Sequence, residues 1–338
     1  MKHQMNMRRT LLAAAGAGTL MAPIASLAQQ PGKAPGKVWR VGFLALTDRA
    51  ATLDPDVYGA FAPGMRDLGY VEGRNLLIEW RFGEGDSKRL PALAAELAQL
   101  KPDALVGAGT NAALALQKAT SVIPIVTATS TDPVASGLIK SLAHPGGNVT
   151  GILGLAGELG PKRLEMVRAM VPKLSTVAVL TNPASATSTS ALEAAVNAGR
   201  QLGIRIVPVE AGTPQEIDGA FAHMRKHNAG ALVVVLNGLF MQQTERITAL
   251  AAKHRLPSIA AVRSFAEAGG LMSYGSNLGS NYRRLAVYMD KIFKGAKPAD
   301  LPMEQPMKFE LVINGKTAKA LGLAIPQALL ISADKVIE

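Results

Sequence analysis

The sequence predicts an α/β protein with two doubly wound, Rossmann-like lobes joined by a hinge. Three observations lead to this fold class. The 338 residues exceed the size at which a single hydrophobic core usually stops growing. Short apolar strands alternate with amphipathic helices along the chain. A Gly/Pro-rich stretch divides this alternation into two similar series, which indicates two similar lobes.

Residues 1–28 have the features of a secretory signal segment. Basic residues, among them the pair Arg8 and Arg9, precede an Ala-rich apolar stretch that ends at Ala28, and a Pro/Gly/Lys linker follows over 29–37. This arrangement predicts export to the periplasm, with cleavage near Ala28. The arginine pair leaves both the general secretory route and the twin-arginine route open.

Composition narrows the class of protein further. The chain has no cysteine, which excludes disulfides, thiolate metal sites and a lipid anchor on an N-terminal cysteine. The formal charge is +11, but the basic residues are scattered and only 4% of residues are aromatic. The charge is therefore interpreted as a solvated surface, with a polyanion site as the alternative, and no nucleic-acid partner is expected.

The first series supplies the elements of the N-terminal lobe. Strand-like runs alternate with helical runs that place apolar residues three and four positions apart. The predicted strands are 38–46, 75–80, 103–109 and 122–129, and the predicted helices are 57–70, 87–100 and 112–120. Such alternation is typical of a parallel sheet covered by helices on both faces.

The Gly/Pro-rich stretch 141–151 is the predicted first crossing between lobes. Beyond it, strands are predicted at 176–182, 204–210, 231–238, 256–262 and 271–275, and helices at 190–203, 214–228, 242–254 and 281–295. A last strand and helix are predicted over 309–314 and 317–326. The expected lobes are 38–149 with about 276–306, and 150–275 with about 307–338.

Polar loops follow most of the predicted strands. In open parallel sheets, ligands bind beyond the carboxyl ends of the strands, where loops and helix N-termini converge. The loops carry hydroxyls, amides, one carboxylate and one tyrosine, which suit a polar ligand. The candidate ligand-binding residues are Thr47, Gly109, Thr110, Asn111, Thr129, Asp132, Asn182, Asn237 and Tyr274.

Gly107, Gly109 and Ala112 have the spacing of a dinucleotide-binding fingerprint, and Asp132 lies twenty residues beyond Ala112. This strand is not the first of the fold, however, and an exported protein rarely meets NAD. Two other interpretations stay open. The glycines form a tight turn, or they begin a helix whose N–H groups and Thr110 hydroxyl bind a ligand carboxylate, which is the favoured interpretation.

The other candidates also have structural alternatives. Asp132 precedes Pro133 and is expected to cap a helix that begins there, with a role near a ligand ammonium group as the second possibility. Tyr274 either covers a ligand or fills a lobe edge. Asn182 and Asn237 stand at strand ends, where turn residues are common in any case.

No acid, base and nucleophile come together in the sequence, so no enzyme, cofactor or metal site is expected. His223 and His227 have metal-ligand spacing on one helical face, but the segment lacks the glutamate of H-E-x-x-H and is interpreted as a solvated face. The serines of 185–190 lack the G-x-S-x-G elbow of a hydrolase.

Three segments closely resemble the ABC-transporter substrate-binding protein family whose better-known members bind tryptophan or other aromatic amino acids. They are IPIVTATSTDPVASGLIKSLAHPGGNVTG (123–151), EAGGLMSYGSN (267–277) and KGAKPADLPMEQPMKFELVINGKTAKALGLAIPQALLISADKVIE (294–338). The resemblance spans about 38–338. It implies a type I periplasmic-binding-protein fold with three crossings, no enzymatic activity, and ligand contacts from the loops described above. At Asn237 this chain departs from many relatives, which have an aspartate in that loop.

The predicted mechanism is hinge closure, in which a solute that contacts both lobes favours the closed form. The expected solute is an amino acid or a related small carboxylate or amide. The resemblance implies delivery to an ABC permease with its ATPase, and a monomer is expected. One alternative is a periplasmic ligand-sensing module that serves a receptor. The less favoured alternative is a nucleotide-cofactor enzyme.

Overall fold

The computed structural model describes residues 36–53, 57–129, 132–153, 159–185, 187–306 and 308–338. The chain divides into two segments, Met1–Lys37 and Val38–Glu338. In the first segment, Gly36 and Lys37 are described, and both are exposed. The predicted signal segment and most of the predicted linker therefore lie outside the described residues.

The first part of Val38–Glu338 alternates strand and helix, as predicted. Its elements are β1 (Trp39–Ala45), α1 (Arg49–Leu53), α2 (Phe61–Asp67), β2 (Leu76–Phe82), α3 (Leu90–Gln99), β3 (Ala104–Ala108), α4 (Thr110–Ala119), β4 (Ile125–Ala128) and β5 (Val149–Ile152). Short 3-10 turns span Tyr58–Ala60 and Ser87–Arg89.

The second part repeats the alternation with more helices. Its elements are α5 (Gly160–Met170), β6 (Thr176–Thr181), α6 (Ser188–Leu202), β7 (Arg205–Glu210), α7 (Pro214–Lys226), β8 (Ala231–Val234), α8 (Gly238–Gln242), α9 (Thr244–Lys253), β9 (Ser258–Ala260), α10 (Arg263–Glu267) and β10 (Met272–Ser276). The remaining elements are α11 (Leu278–Phe293), a 3-10 turn at Pro298–Asp300, β11 (Phe309–Asn314), α12 (Gly315–Leu321), α13 (Gln327–Ser332) and β12 (Lys335–Ile337).

The strands form two sheets, and the N-terminal lobe is built on the first. This sheet has the order β2-β1-β3-β4-β5, and all its pairings are parallel. Alternate residues of β1 point to opposite faces. Val41 and Phe43 pack with the side chains of α2 and α11, whereas Leu44 packs with those of α3 and α4. The sheet is therefore covered on both faces.

Helix α11 follows the second series in sequence but packs on the first sheet. Tyr282 and Leu285 share the first core with Phe61 and Met65 of α2. The two helices approach closely at Gly64, where a Cβ atom would lie 3.0 Å from the Arg283 carbonyl oxygen.

The C-terminal lobe is built on the second sheet, with the order β7-β6-β8-β9-β10-β11-β12. Its first five strands repeat the order of the first sheet and pair in parallel. β11 runs antiparallel to β10. One hydrophobic core lies between this sheet and helices α5 and α6, and a second core lies between the sheet and helices α7 and α9. The predicted fold class of two doubly wound lobes is thus confirmed.

The chain passes between the two sheets three times along these elements. It leaves the first sheet after β5, returns at Asn277, which caps α11, and leaves again between Glu304 and β11. The predicted boundary at 149/150 is wrong because it lies inside β5, whose pairing with β4 runs to Ile152. The other predicted boundaries, 275/276 and 306/307, lie at the end of β10 and just before β11.

The helix expected at Pro133 does not form, and residues 133–137 make turns instead. Asp132 still acts as a cap, because its Oδ1 accepts the N–H groups of Val134 at 2.8 Å and Ala135 at 3.2 Å. Gly137 ends the segment with a φ of +76°. A single turn of this length cannot offset the cost of helix nucleation.

Candidate functional site

In each sheet, the strand order reverses at the corresponding position. In the first sheet it lies between β1 and β3, and in the second between β6 and β8. Loops that leave strands at such a point diverge and open a crevice beyond the sheet edge. Leu46 and Gly109 follow β1 and β3, and Ser185 and Asn237 follow β6 and β8. All four line one cleft.

The space between the lining residues of this cleft is about 850 Å³ when the part open to solvent is included. The N-terminal lobe contributes Leu46, Tyr58, Ala108, Gly109, Thr110, Asn111, Ala128, Thr129, Leu278, Asn281 and Tyr282. The C-terminal side contributes Leu159, Arg163, Ser185, Thr187, Leu236, Asn237, Gly238, Met241, Ala261, Val262 and Ser276.

The N-terminus of α4 opens into the cleft. Gly109 precedes the helix with a φ of +86°, which a side chain would disfavour, and Thr110 is buried. Gly107 serves packing, because a Cβ atom there would lie 2.8 Å from the Ala113 Cα atom. The glycine spacing thus has a local explanation, because it brings the helix close to the strand at Gly107 and places the helix N-terminus at the cleft.

Two tyrosines form an aromatic wall beside this helix end. The rings of Tyr58 and Tyr282 meet edge to face, with centroids 4.8 Å apart. Burial raises the pKa of both hydroxyls well above the ordinary value, although the Gly109 N–H group lowers the pKa of Tyr282 in part by bonding to its oxygen. Both tyrosines are therefore neutral and present rings and O–H groups to the cleft.

Arg163 gives the cleft a positive charge. Its side chain is buried in the second lobe, and its Nε atom donates to the Tyr274 carbonyl oxygen at 2.7 Å. Burial lowers the pKa of the guanidinium to about 10, so the group is still protonated at neutral pH. A fixed cation among apolar residues is suited to an anionic group of a ligand.

Hydroxyl and amide groups from the second lobe complete the polar lining. Ser185 and Thr187 lie at the start of α6, with their hydroxyl oxygens 2.7 Å apart. Asn237 caps α8, since its Oδ1 accepts the Phe240 N–H at 3.0 Å, and its Nδ2 donates to the Val235 carbonyl at 3.0 Å. The hydrogen bonds of this amide thus fix its orientation.

Direct contacts join the two lobes at the mouth of the cleft. The Gln242 Nε2 atom donates to Asp48 Oδ2 at 2.9 Å. The Tyr58 hydroxyl lies 3.3 Å from the Met241 sulfur. The Asn111 Nδ2 atom donates to the Ala184 carbonyl oxygen at 3.1 Å. These contacts span the cleft, so this is a closed arrangement of the lobes.

Five of the nine predicted ligand-binding residues line the cleft, namely Gly109, Thr110, Asn111, Thr129 and Asn237. The remaining four candidates are not among its lining residues.

Thr47 is fully buried beside the lining residue Leu46, and Asp132 is exposed. Asn182 stabilises the turn before α6, where its Oδ1 accepts the Ala184 N–H at 2.9 Å. Tyr274 packs against Phe309, with ring centroids 6.4 Å apart, at the edge of the second core.

Sequence reasoning missed Arg163, Tyr58 and Tyr282. Tyr282 lies in the predicted helix 281–295, whereas the candidates were taken from the loops that follow the strands. Arg163 had a detectable signal, because it shares a helical face with Val167 and Met170, which are both buried. A charged residue on an apolar face indicates either a buried partner or a ligand.

The expectation that the His223 and His227 pair is a solvated face agrees with its surroundings. The rings are 4.4 Å apart, and His223 is exposed. In the part of the chain that the structure describes, no group of three or more His, Cys, Asp or Glu side chains is placed to hold a metal ion.

Two α/β lobes of equal strand order, with a polar and aromatic cleft at their switch points, define a two-lobed solute-binding protein. The chain belongs to the ABC transporter substrate binding protein family, whose model matches residues 51–337. The prediction of a substrate-binding protein of an ABC transporter is thereby confirmed, as is the prediction that the chain is not an enzyme. Proteins of this family are exported. Within the described ranges, no helix is both long and apolar enough to span a membrane.

Several relatives extend the similarity over most of the chain. A tyrosine-binding protein from Clostridioides difficile (strain R20291) is 27% identical over 266 residues, which cover 78% of this chain and 75% of that protein. The crystal structure of an ABC domain in complex with L-Trp from Streptococcus pneumonia is 25% identical, covers 88% of this chain and 99% of that one, and has a TM-score of 0.81.

A third relative is the ligand-free, open structure of a substrate-binding protein with adhesive properties from Clostridium difficile. It is also 25% identical and covers 89% of this chain and 99% of that one, but its TM-score is 0.64. At equal identity, the structure of this chain is thus more similar overall to the L-Trp complex than to the open structure. This agrees with the contacts across the cleft.

Proposed function

We propose that this protein captures a small solute with a carboxylate and an apolar or aromatic body, and that the lobes close over it. The supporting observation is the pairing, in one cleft, of the buried Arg163 guanidinium with the N-terminus of α4. Both features suit a carboxylate. The wall formed by Tyr58, Tyr282 and Met241 suits an apolar or aromatic body.

The names of the relatives support the same class of solute. One relative is a tyrosine-binding protein, and another is in complex with L-Trp. Both amino acids combine a carboxylate with an aromatic body. An amino acid or a related small carboxylate therefore fits both the lining of the cleft and the relatives.

In the proposed mechanism, the moving bodies are 38–153 with 277–304, and 159–276 with 309–338. A solute that touches both bodies binds the closed form more tightly and shifts the population toward it. The closed monomer then delivers the solute to an ABC permease with its ATPase. The proposed location is the periplasm, after cleavage near Ala28 and without a lipid anchor, since the chain has no cysteine.

Thermal-shift screening of the purified protein against amino acids and small organic acids tests the ligand class. A solute at 100 times its dissociation constant should stabilise the protein by about 2.7 kcal/mol. Neutral sugars and amines serve as controls. If sugars or amines stabilise the protein and no carboxylate does, the proposed class of solute is wrong.

Small-angle scattering tests the closure. We expect the radius of gyration to decrease when a stabilising solute is added, toward the value of about 20 Å for a compact body of this length. A solute that raises the melting temperature but leaves the radius unchanged would contradict hinge closure while leaving the ligand class intact.

A further inference from the structure

We infer that Met241 is a site of oxidation by peroxides in this protein, and that its sulfoxide weakens solute capture. The exposure of this side chain and its position between the lobes carry the inference. The second half rests on the proposed function, because it assumes that the lobes close over a solute.

Methionine provides all the sulfur in this chain, which has no cysteine. The structure describes eight of the methionines. Seven of these are at most 6% exposed, namely Met65, Met166, Met170, Met224, Met272, Met289 and Met303. Met241 is the partly exposed one among the eight. Because a peroxide has to reach the sulfur atom, we expect Met241 to react ahead of the other seven.

Met241 lies where the second lobe meets the first. It belongs to α8 of the second lobe and lines the cleft, yet its side chain packs against the hydrophobic core of the first lobe. Its sulfur atom is 3.3 Å from the Tyr58 hydroxyl oxygen, and Tyr58 is buried in that lobe. When the lobes separate, this contact is lost and the sulfur becomes more accessible.

Oxidation by hydrogen peroxide adds one oxygen atom to the Met241 thioether. A lone pair of the sulfur attacks one peroxide oxygen, so an S–O bond forms and the O–O bond breaks. The departing hydroxide takes the proton of the transferred oxygen and leaves as water. The sulfur is thereby oxidised by two electrons to the sulfoxide, and the peroxide is reduced to water.

The closed arrangement has little space for the added oxygen. The distance of 3.3 Å between the Met241 sulfur and the Tyr58 oxygen leaves no room for a further oxygen atom between them. On the same short helix, a Cβ atom at Gly238 would lie 2.8 Å from Leu46, and Gln242 donates to Asp48 at 2.9 Å. α8 is therefore held close to the first lobe.

The sulfoxide is also polar, whereas the thioether packs on aromatic and aliphatic side chains. Burial of a polar group against an apolar surface is costly, and a side chain that no longer fits adds strain. Both effects disfavour the closed form. A solute that has to contact both lobes then binds more weakly, because a smaller fraction of the protein is competent to hold it.

Peptide mapping by mass spectrometry tests the site. The purified protein is treated with hydrogen peroxide, and the sulfoxide at each methionine is followed over time. We expect Met241 to be converted ahead of the seven buried methionines. If any of those seven reacts as fast as Met241, the assignment of the site is wrong.

Calorimetry with L-tryptophan as the probe tests the effect on capture. We expect the affinity to fall by about ten-fold once Met241 is fully converted. Methionine sulfoxide reductases with a dithiol reductant should restore it, since they return the sulfoxide to the thioether. An affinity that is unchanged by oxidation, or that the reductases do not restore, contradicts the inference.

The variant Met241→Leu shows whether this methionine is responsible. Each variant is compared with its own untreated sample, so a change in affinity caused by the substitution itself does not matter. Peroxide should leave the affinity of Met241→Leu unchanged, because leucine has no sulfur. If treated Met241→Leu loses affinity as much as the original protein does, another residue is responsible and the inference fails.

Met224→Leu is the matched control. Met224 is buried in a core of the second lobe, and leucine has a similar volume. After peroxide treatment, this variant should lose affinity by the same factor as the original protein. Retained affinity in treated Met224→Leu would transfer the effect to Met224 and overturn the inference.

The readouts separate this inference from the proposed function. If the untreated protein binds neither L-tryptophan nor L-tyrosine, capture of an aromatic amino acid is wrong, and the weakening of capture falls with it. The order in which the methionines are oxidised is measured without a ligand and decides the site by itself.

Discussion

At the scale of single residues, Arg163 is unusual among the described residues because it is a charged side chain that is buried. It is only 3% exposed and lies on the helical face that α5 turns to the second core. An apolar residue would stabilise such a position at least as well. The proposed function gives this guanidinium a role in binding a carboxylate.

The first prediction concerns the variant Arg163→Gln. Glutamine keeps an N–H donor for the Tyr274 carbonyl but has no charge. We expect the affinity for a carboxylate ligand to fall by about 100-fold, because the loss of one partner of a buried charge pair costs about 2–5 kcal/mol. Calorimetry measures the change. Arg168→Gln, an exposed arginine of the same helix, is the control and should bind normally. Equal affinities in the two variants would exclude Arg163 from carboxylate recognition.

The second prediction is the pH dependence of the same interaction. The pKa of Arg163 is lowered to about 10, so its charge is present below that pH and is lost as the pH rises through it. Affinity for a carboxylate should be constant from about pH 6 to about pH 9 and fall above about pH 10. The raised pKa values of Tyr58 and Tyr282 keep both tyrosines neutral in this window. A fall in affinity between neutral pH and about pH 9 would assign the dependence to another group.

At the scale of helices and strands, periodicity predicted the elements with long patterns and missed the short ones. β5 has four residues, Val149–Ile152, next to a Gly/Pro-rich stretch, so its apolar run was hidden in an apparent loop. Helix α5 was missed because polar residues interrupt its buried face. In contrast, α7 and α9 were predicted within a few residues, since each carries a complete apolar face.

The third prediction concerns the start of α7. The exposed Thr213 caps this helix, and its hydroxyl oxygen accepts the Glu216 N–H at 3.3 Å. Thr213→Ala should lower the free energy of unfolding by about 1 kcal/mol, whereas Thr213→Ser should keep most of it. Chemical denaturation measures both. Because Thr213 is not among the described residues that line the cleft, ligand affinity should not change. Equal stability of the alanine and serine variants would show that this cap contributes little.

At the scale of the whole molecule, the repeated strand order explains why the site lies between the lobes. Each sheet opens a crevice at its own switch point, and the two crevices form the two sides of one cleft. The sequence was sufficient to predict the loops of the first lobe, because they follow clear strands. It could not predict which side chains meet across the cleft, since pairs such as Tyr58 and Met241 depend on how the lobes are placed.

The closed arrangement leads to the fourth prediction, which concerns Gly238 at the start of α8. A Cβ atom at Gly238 would lie 2.8 Å from the Cγ and Cδ2 atoms of Leu46 in the opposite lobe. Gly238→Ala should therefore disfavour the closed form by about 1–3 kcal/mol without disturbing either core. Ligand affinity should fall by about ten-fold for each 1.4 kcal/mol by which the closed form is destabilised. The melting temperature of the ligand-free protein should stay unchanged.

Gly219→Ala provides the matched control for this prediction. Gly219 lies in α7, where an added Cβ atom has nothing within 4 Å, so the substitution should slightly stabilise the helix and leave binding unchanged. Scattering from both variants at saturating ligand should show a larger radius for Gly238→Ala alone. If Gly238→Ala binds with full affinity and reaches the same compact dimensions, the contact between Leu46 and Gly238 is not part of the ligand-bound state, and a less complete closure must hold the solute.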